Sequence, residues 1–567
     1  MSIDIETYRL KAQEAIEYVF VKEYHNSLGI PMPIVKMLLP DDANYSTGQY
    51  YITIDKTWQI HLNFGKLPIS YHEFQNEVKV LTRHEIEHYM CCPFDVITHF
   101  RMLKRIKDVY YKHFSHLGIN IKYACGAISN QAADIIVDTK NYYRHSKETL
   151  KSEIDWIKIG ANISACPRHC KLMFLTKEAI WKEDLGINET DPEFLKIVHQ
   201  LADSFTKNGI EDKSSFLDKV EEYAEIFFKL YVEDQKNPQQ SGQQGSQQQS
   251  GQQGSQQQSG QQGPQQQSGQ QGSQQQSGQQ GSQQQSGQWG VGRPKDGDEH
   301  GNAFVFADPD KVKEAIEVLA EETSVEEFID LLAIAGIIGM SDKQKGVLWF
   351  NVQSANIIPI VEFSNTGNKS SYTYPSVWRI GDPIEELDLM LTYMTSPRLI
   401  PGMTTKKWEY VSNDDNGTES KQMDLLLVVD TSGSMGSAMK ESANMHQAVL
   451  ASYGILSYFE STKSKVAFIG FSDKIDAYVD WSDKYDDVRE RLLTNGHGGT
   501  KFPISRIKST LDVRSRDLVT VLITDGDLGN INESVSYFRD YISRKTKCSA
   551  FTKHFVPESH LLTQIKM

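Results

Sequence analysis

The sequence predicts a multidomain chain: a mainly helical α+β N-terminal domain, a disordered Gln/Gly/Ser linker, and a C-terminal α/β domain built on a doubly wound sheet. Three observations predict it. The nonapeptide SGQQGSQQQ repeats five times from Ser241 to Gln285, with Pro264 replacing one serine, and nothing in it can bury a core. Before it, apolar residues recur at helical spacing, except from Tyr50 to Phe64, where they alternate. From Met423 onward, apolar strands and amphipathic helices take turns.

Composition narrows the function classes. The 567 residues carry a formal net charge of −15, which argues against nucleic-acid binding driven by bulk charge. No run of about 18 apolar residues is present, so no membrane span is expected. The opening residues MSIDIETYRLKAQEAIEYVF are acidic and have no apolar core of signal-peptide type; they read as an amphipathic helix. Six cysteines in so long a chain do not make a disulfide scaffold. A cytoplasmic protein is the expectation. No GxxxxGK[ST] loop occurs, so nucleotide hydrolysis by that route is not expected.

Four segments follow: 1–237, 238–299, 300–420 and 421–567. In the first, YYITIDKTWQIHLNF predicts a strand pair turning around Lys56. Helices are predicted over 71–90, 121–147, 173–183 and 192–232. The linker, about fifty residues with its flanks, should act as a flexible tether with a root-mean-square reach of roughly 40 Å. Helices at 309–321 and 324–336 open the third segment, which is mixed up to about 420. In the fourth, strands are expected at 423–429, 465–472, 518–524 and 548–556, and helices at 438–459, 483–493, 503–511 and 531–543. This alternation predicts a Rossmann-like, doubly wound sheet.

Helix 71–90 contains His84-Glu85-Ile86-Glu87-His88. Histidines four apart share a helix face and can grip one zinc ion. Glu85 lies beside them, placed to take a proton from an attacking water. A third ligand must come from elsewhere. The HExxH motif, the strand Gln59–Phe64 ahead of it and Asn130 to Asp138 after it together resemble zincin metallopeptidases over residues 45–145. The resemblance implies that Gln59–Phe64 is an edge strand for substrate backbone. In thermolysin-like members a following ExxxD supplies a glutamate ligand and an aspartate that orients a histidine. Here Asn130 stands in the glutamate's place, and asparagine is a poor zinc ligand. Asp134 is the preferred third ligand, with Asp138 and His99 as alternatives. Cys91-Cys92 and the Cys166/Cys170 pair offer a weaker case for a structural zinc site.

In the fourth segment LLLVVDTSGSM, residues 425–435, runs an apolar strand into Asp-x-Ser-x-Ser. Gly498-Gly499-Thr500 and Asp525-Gly526 lie in two later connections. In an open parallel sheet such connections emerge at the carboxyl edge, where ligands bind. Magnesium takes oxygen ligands and keeps some water, so a few carboxylates with small hydroxyls suit it. The three pieces resemble the metal-ion-dependent adhesion site of von Willebrand factor type A domains. The resemblance implies magnesium or manganese held by Ser432, Ser434 and Thr500, with Asp430 and Asp525 acting directly or through water. It also implies a protein partner that presents an acidic residue to the ion. Trp378–Pro383 and Pro401–Trp408 resemble segments preceding A domains in proteins encoded near MoxR-type AAA+ ATPases.

Two functions follow as expectations. In one, the A domain recruits an acidic partner and a zinc peptidase head uses Glu85 as its base. In the other, the chain is a non-enzymatic adaptor of a MoxR-type ATPase and the zinc site is structural or degenerate.

Overall fold

The computed structural model describes residues 5–25, 28–42, 45, 50–54, 58–64, 70–160, 163–236, 308–337, 339–355, 373–379, 382, 387–388, 392, 403–410, 423–514, 518–526, 528–530, 533, 547–552 and 563–564. The predicted linker and the helix expected at 531–543 lie outside these residues, apart from Glu533. The chain divides into two compact units, Met1–Lys345 and Gly346–Met567.

The first unit opens with helix α1 (Ile5–Tyr18) and strands β1 (Ile34–Met37), β2 (Tyr50–Ile54) and β3 (Gln59–Phe64). The alternation that predicted a strand pair is realised as an antiparallel β2–β3 pair with Ile54 opposite Ile60. One feature differs from expectation. β1 pairs parallel with the other side of β3, giving the order β1-β3-β2. The strand Gln59–Phe64 is therefore central, not an edge. Where β1 and β2 both flank it, from Ile60 to Leu62, it has no free side for a substrate backbone. Ile60 and Leu62 of β3 pack with Ala12 and Ile16 of α1 and with Phe74, Val78 and Ile86 of helix α2 (Tyr71–Met90).

α2 starts where expected because Ser70 and Glu73 form a reciprocal cap. The Ser70 hydroxyl accepts from the Glu73 amide at 3.3 Å, and the Glu73 carboxylate accepts from the Ser70 amide at 3.3 Å. Beyond it lie α3 (Val96–Val109), α4 (Ile121–Gly160), α5 (Arg168–Trp181), α6 (Pro192–Thr206) and α7 (Phe216–Lys236). α4 runs past the predicted end at 147 and is interrupted at His145, where φ is −135° and ψ is 48°. The helix expected over 192–232 is two helices, parted by a turn in which Gly209 has φ +89°. Any other residue would be strained there.

Helices α8 (Pro309–Glu322) and α9 (Val325–Ile334) correct the segment boundaries. They were grouped with the C-terminal part, but they belong to the first unit. Their buried residues Ile316, Leu319, Phe328 and Leu331 supply apolar contact. Basic residues of α3 meet their acids: Arg101 pairs with Glu322, Lys104 with Glu327 at 2.5 Å, and Lys107 with Asp330 at 3.0 Å. Exposed pairs of this kind contribute little singly, so the apolar face holds and the charges set register. The described chain on both sides of the Gln-rich segment therefore belongs to one unit.

The second unit contains strands β4 (Thr373–Val377) and β5 (Lys406–Tyr410), paired antiparallel. Next to them, Trp378 N–H donates to the Thr405 carbonyl at 3.0 Å, and Lys407 pairs with Asp382 at 3.2 Å. A six-stranded sheet follows, of β6 (Asp424–Asp430), β7 (Val466–Phe471), β8 (Ile475–Ser482), β9 (Leu518–Thr524), β10 (Lys547–Thr552) and β11 (Thr563–Gln564), in the order β11-β10-β9-β6-β7-β8. β10, β9, β6 and β7 are parallel, and the outer strands β8 and β11 run antiparallel to their neighbours. Every residue of β6, β7 and β9 is buried, as a parallel sheet covered on both faces requires. Leu426 and Val428 pack with Ile507 and Leu511 of helix Ile504–Asp512. β8 was not foreseen. The predicted helix 438–459 is Asn444–Ser461, because turns occupy the residues before Asn444.

Cutting an engineered protease site placed between Lys236 and Asp308 should leave the two fragments associated on native size-exclusion chromatography, held by α3, α8 and α9. Separation of the fragments would contradict this placement.

Candidate metal centres

The first candidate centre sits on the inner face of α2, where Thr82 to His88 are all buried. Seven buried residues that include three charged groups and two histidines need partners. Arg83 meets Glu23 at 2.5 Å and also Glu148. Glu87 accepts from Lys140 and Arg144, each at 2.8 Å, and from the Tyr24 hydroxyl at 3.0 Å. These ion pairs anchor α2 to α4 and to the stretch after α1. They leave His84 and His88 to face each other.

Both imidazoles are oriented from behind. His84 Nδ1 lies 2.7 Å from Asp138 Oδ1, and His88 Nδ1 lies 2.7 Å from the Cys92 carbonyl. An acceptor at each Nδ1 makes Nδ1 the donor and turns each Nε2 inward. The two Nε2 atoms are 3.0 Å apart. Asp134 Oδ1 lies 3.4 Å from one and 3.3 Å from the other, is buried and accepts no hydrogen bond. These three donors are the one group of His, Cys, Asp and Glu side chains among the described residues gathered closely enough to hold a metal. A tetrahedral zinc ion with bonds of about 2.0–2.1 Å needs ligands about 3.3 Å apart. The observed triangle of 3.0, 3.3 and 3.4 Å matches.

Of the candidates for a third ligand, Asp134 is the one that joins both histidines in this group. Asp138 backs His84 and does not enter the triangle. His99 is buried on α3 but is not in the group. Asn130, which stood in the expected glutamate's place, donates from Nδ2 to Asp134 Oδ2 at 2.9 Å. It thereby aims the other oxygen of Asp134 at the histidines. Glu85 is 5% exposed and close enough for its charge to act on His84. Cys91 and Cys92 are not in the group. Burial pushes the Cys91 thiol up to about 11, that of Cys170 to about 12, and those of Cys92 and Cys166 upward as well.

Electrostatics explain how the triangle survives without metal. Burial works against a charged His84, but Asp138 first, then Asp134 and Glu85, outweigh it and push its pKa up to about 9. Burial works the other way on Asp134, yet His88 and His84 hold that carboxyl below its usual range. At neutral pH a proton therefore occupies the place a cation would take.

The second candidate centre lies at the carboxyl ends of β6 and β9. Asp430 is fully buried; one carboxylate oxygen accepts from the Ser432 amide at 2.9 Å and the other from the Thr524 hydroxyl at 2.7 Å. The Ser432 and Ser434 hydroxyls are 3.1 Å apart. Gly433 N–H donates to the Gly498 carbonyl at 3.3 Å, which joins the first loop to the Gly498–Thr500 connection. Thr500 in turn accepts at its carbonyl from Gly529 N–H at 2.7 Å, beyond Asp525. Burial raises the Asp430 carboxyl's pKa, and Asp525 adds to it against the Ser432 and Thr524 hydrogen bonds. The three sequence pieces are therefore adjacent, and the two acids are near enough to repel. Thr524 was not singled out from the sequence, although its place one residue before Asp525 at a strand end was the available signal.

Gly496 packs tightly here: an added Cβ would come within 2.4 Å of both the Thr431 carbonyl and an Asp476 carboxylate oxygen. Among the described residues, no helix is long and apolar enough to cross a membrane.

No protein-family model matches the chain, and no curated protein matches it in sequence.

Two outcomes follow. In metal-free protein the His84 proton contributes stability that is present below the unfolded value of about 6.5 and is lost as pH rises through about 9; chemical denaturation across that window should show the fall. A flat profile, or the same profile in His84→Ala, would contradict it. Since a metal must displace that proton, zinc affinity should climb with pH up to about 9 and level off above it.

Proposed function

We propose that the chain is a metalloprotein with two unlike heads, a zincin-like zinc centre in the first unit and a von Willebrand A-type, magnesium-dependent recognition site in the second. The observation that carries the reading is the backing of both imidazoles, by Asp138 and by the Cys92 carbonyl, so that two Nε2 lone pairs and one buried Asp134 oxygen converge. Two imidazoles and a carboxylate suit zinc with one position left over. The same donor set also holds ferrous iron, so metal analysis of the purified chain separates the two.

Zinc, when bound, supplies Lewis acidity for hydrolysis of a peptide carbonyl. The chain's own groups do the rest. Glu85 takes the proton of the attacking water and delivers it to the leaving amine. Asp138 keeps the His84 ring in one tautomer, and Asn130 keeps Asp134 turned inward. The second head recruits a protein partner through an acidic residue presented to magnesium at Asp430, Ser432, Ser434, Thr500 and Asp525. A MoxR-type ATPase is the proposed partner class, and a cytoplasmic setting goes with it.

A second reading has two observations in its favour. The donors are almost closed to solvent, with His84 the most exposed at 8% and His88 at 0%. A catalytic centre must admit substrate, whereas a structural one need not. The central position of β3 points the same way, because the strand expected to hold substrate backbone has no free side from Ile60 to Leu62. In this reading the first centre stabilises the fold and the chain is an adaptor.

Glu85→Gln separates the readings. As a peptidase base, Glu85→Gln should retain one zinc per chain and lose cleavage of a casein-type substrate by at least about 100-fold, while His88→Ala loses both. No cleavage by the parent leaves the adaptor reading, and unchanged cleavage in Glu85→Gln removes Glu85 as the base. In the second unit, magnesium should raise the thermal midpoint of the parent and not of Asp430→Ala; an equal response in both would remove the recognition site.

A further inference from the structure

The zinc centre has a support that lies beyond any side chain discussed so far. Lys177 is on α5, in the stretch LMFLTKEAIW, where it is the one cation among mostly apolar residues. Its residue is only 2% exposed. Its ammonium lies 2.8 Å from Asp138 Oδ2 and 2.7 Å from Glu153 Oε1. The other oxygen of Asp138 is the one 2.7 Å from His84 Nδ1. A continuous path therefore runs from Glu153 through Lys177 and Asp138 to His84, and it joins α4, α5 and α2.

Three physical points bear on its role. A buried ammonium costs several kcal/mol unless paired, so its retention between two carboxylates calls for an explanation. Asp138 has two oxygens and two donors, one for each, which fixes its plane as well as its charge. Asp138 is largely enclosed where α2, α4 and α5 meet, its side chain 13% exposed, and a neutral neighbour in place of Lys177 would leave His84 as its one remaining partner of these two. Outer partners that orient a metal-bound histidine affect affinity by about 10–100-fold.

We propose that Lys177 is a positioning residue of the zinc centre, acting through Asp138 to hold His84 with its Nε2 presented to the metal. The inference rests on the zinc reading of His84, His88 and Asp134. Lys177 touches neither ligand nor substrate, so its effect is on metal affinity and on the geometry of the bound ion.

The control is Lys171, on the same helix. It is 8% exposed and pairs with Glu189 at 2.8 Å, away from the metal group. Losing either lysine leaves a partly buried acid without its cation, so both variants should be destabilised. Only one should change the metal. Zinc affinity is measured on the full chain by competition with a chromophoric chelator, at a temperature where folded fractions are matched by circular dichroism. Cobalt(II) replaces zinc for visible spectra. Lys177→Met should weaken zinc binding by about 10–100-fold and shift the cobalt bands, while Lys171→Met leaves affinity within about twofold and the bands in place. Lys177→Arg should recover most of the affinity. Where Lys177→Met does not fold, Lys177→Met combined with Glu153→Gln removes one stranded charge and is compared in the same way. Equal affinity in the Lys177 variants and the parent overturns the inference. A parent that binds no zinc overturns instead the reading beneath it.

Discussion

Two ring nitrogens 3.0 Å apart beside a buried carboxylate oxygen form an arrangement that cannot stand uncompensated. Two lone pairs and a negative charge in a place closed to water repel one another unless something positive lies between them. A proton fills that role in the metal-free protein, because the negative neighbours of His84 push its pKa upward against burial. A divalent cation answers the same demand better, since it bonds to all three donors at once. Much of the first unit exists to keep this arrangement from relaxing. The Ser70–Glu73 cap starts α2, the Glu87 and Arg83 ion pairs fasten it to neighbouring segments, and Asp138 and the Cys92 carbonyl stop either ring from flipping away.

The second unit solves a related problem with a different architecture. Asp430 closes a fully buried central strand, and its carboxylate is held by a backbone amide and a threonine hydroxyl. No cation of the chain pairs with it among the described residues, and Asp525 makes the local potential more negative. Here the donors are mostly neutral hydroxyls on loops at one sheet edge. Such a set suits a hard ion that keeps water and leaves room for an outside carboxylate. The first site gathers strong donors in the interior; the second sets hydroxyls, with Ser434 exposed and Ser432 buried, beside a buried carboxylate. Their chemistry therefore points to catalysis or structure in one unit and to recognition in the other.

How much of this was legible in the sequence depended on how local the cause was. α2 was readable to the residue because its cap, its period and its end are encoded within twenty residues. β6 and β9 were readable because continuous apolar runs mark strands covered on both faces. His84 and His88 followed from helical spacing, and Asp134 only from the resemblance to zincin metallopeptidases. What the sequence hid was set by distant contacts. Nothing near Gln59 signals that β1 will pair beside it and make it central. Nothing near Pro309 signals that α8 and α9 will pack on α3, more than 200 residues earlier, so in the sequence the linker reads as a divider. Asn130 looked like a defect in a ligand pattern, and only its bond to Asp134 shows it as a support. Lys177 carried one faint signal, a charge in an apolar helix, with no hint of its partner.

The central claim is that two imidazoles and one carboxylate of the first unit hold zinc directly. X-ray absorption at the zinc edge of the purified full chain tests it most directly. The account predicts a first shell of nitrogen and oxygen at about 2.0–2.1 Å, with the outer-ring scattering of two imidazoles and no sulfur. A sulfur shell at about 2.3 Å, which would bring in the cysteines, or a protein that retains no zinc at all, would contradict it.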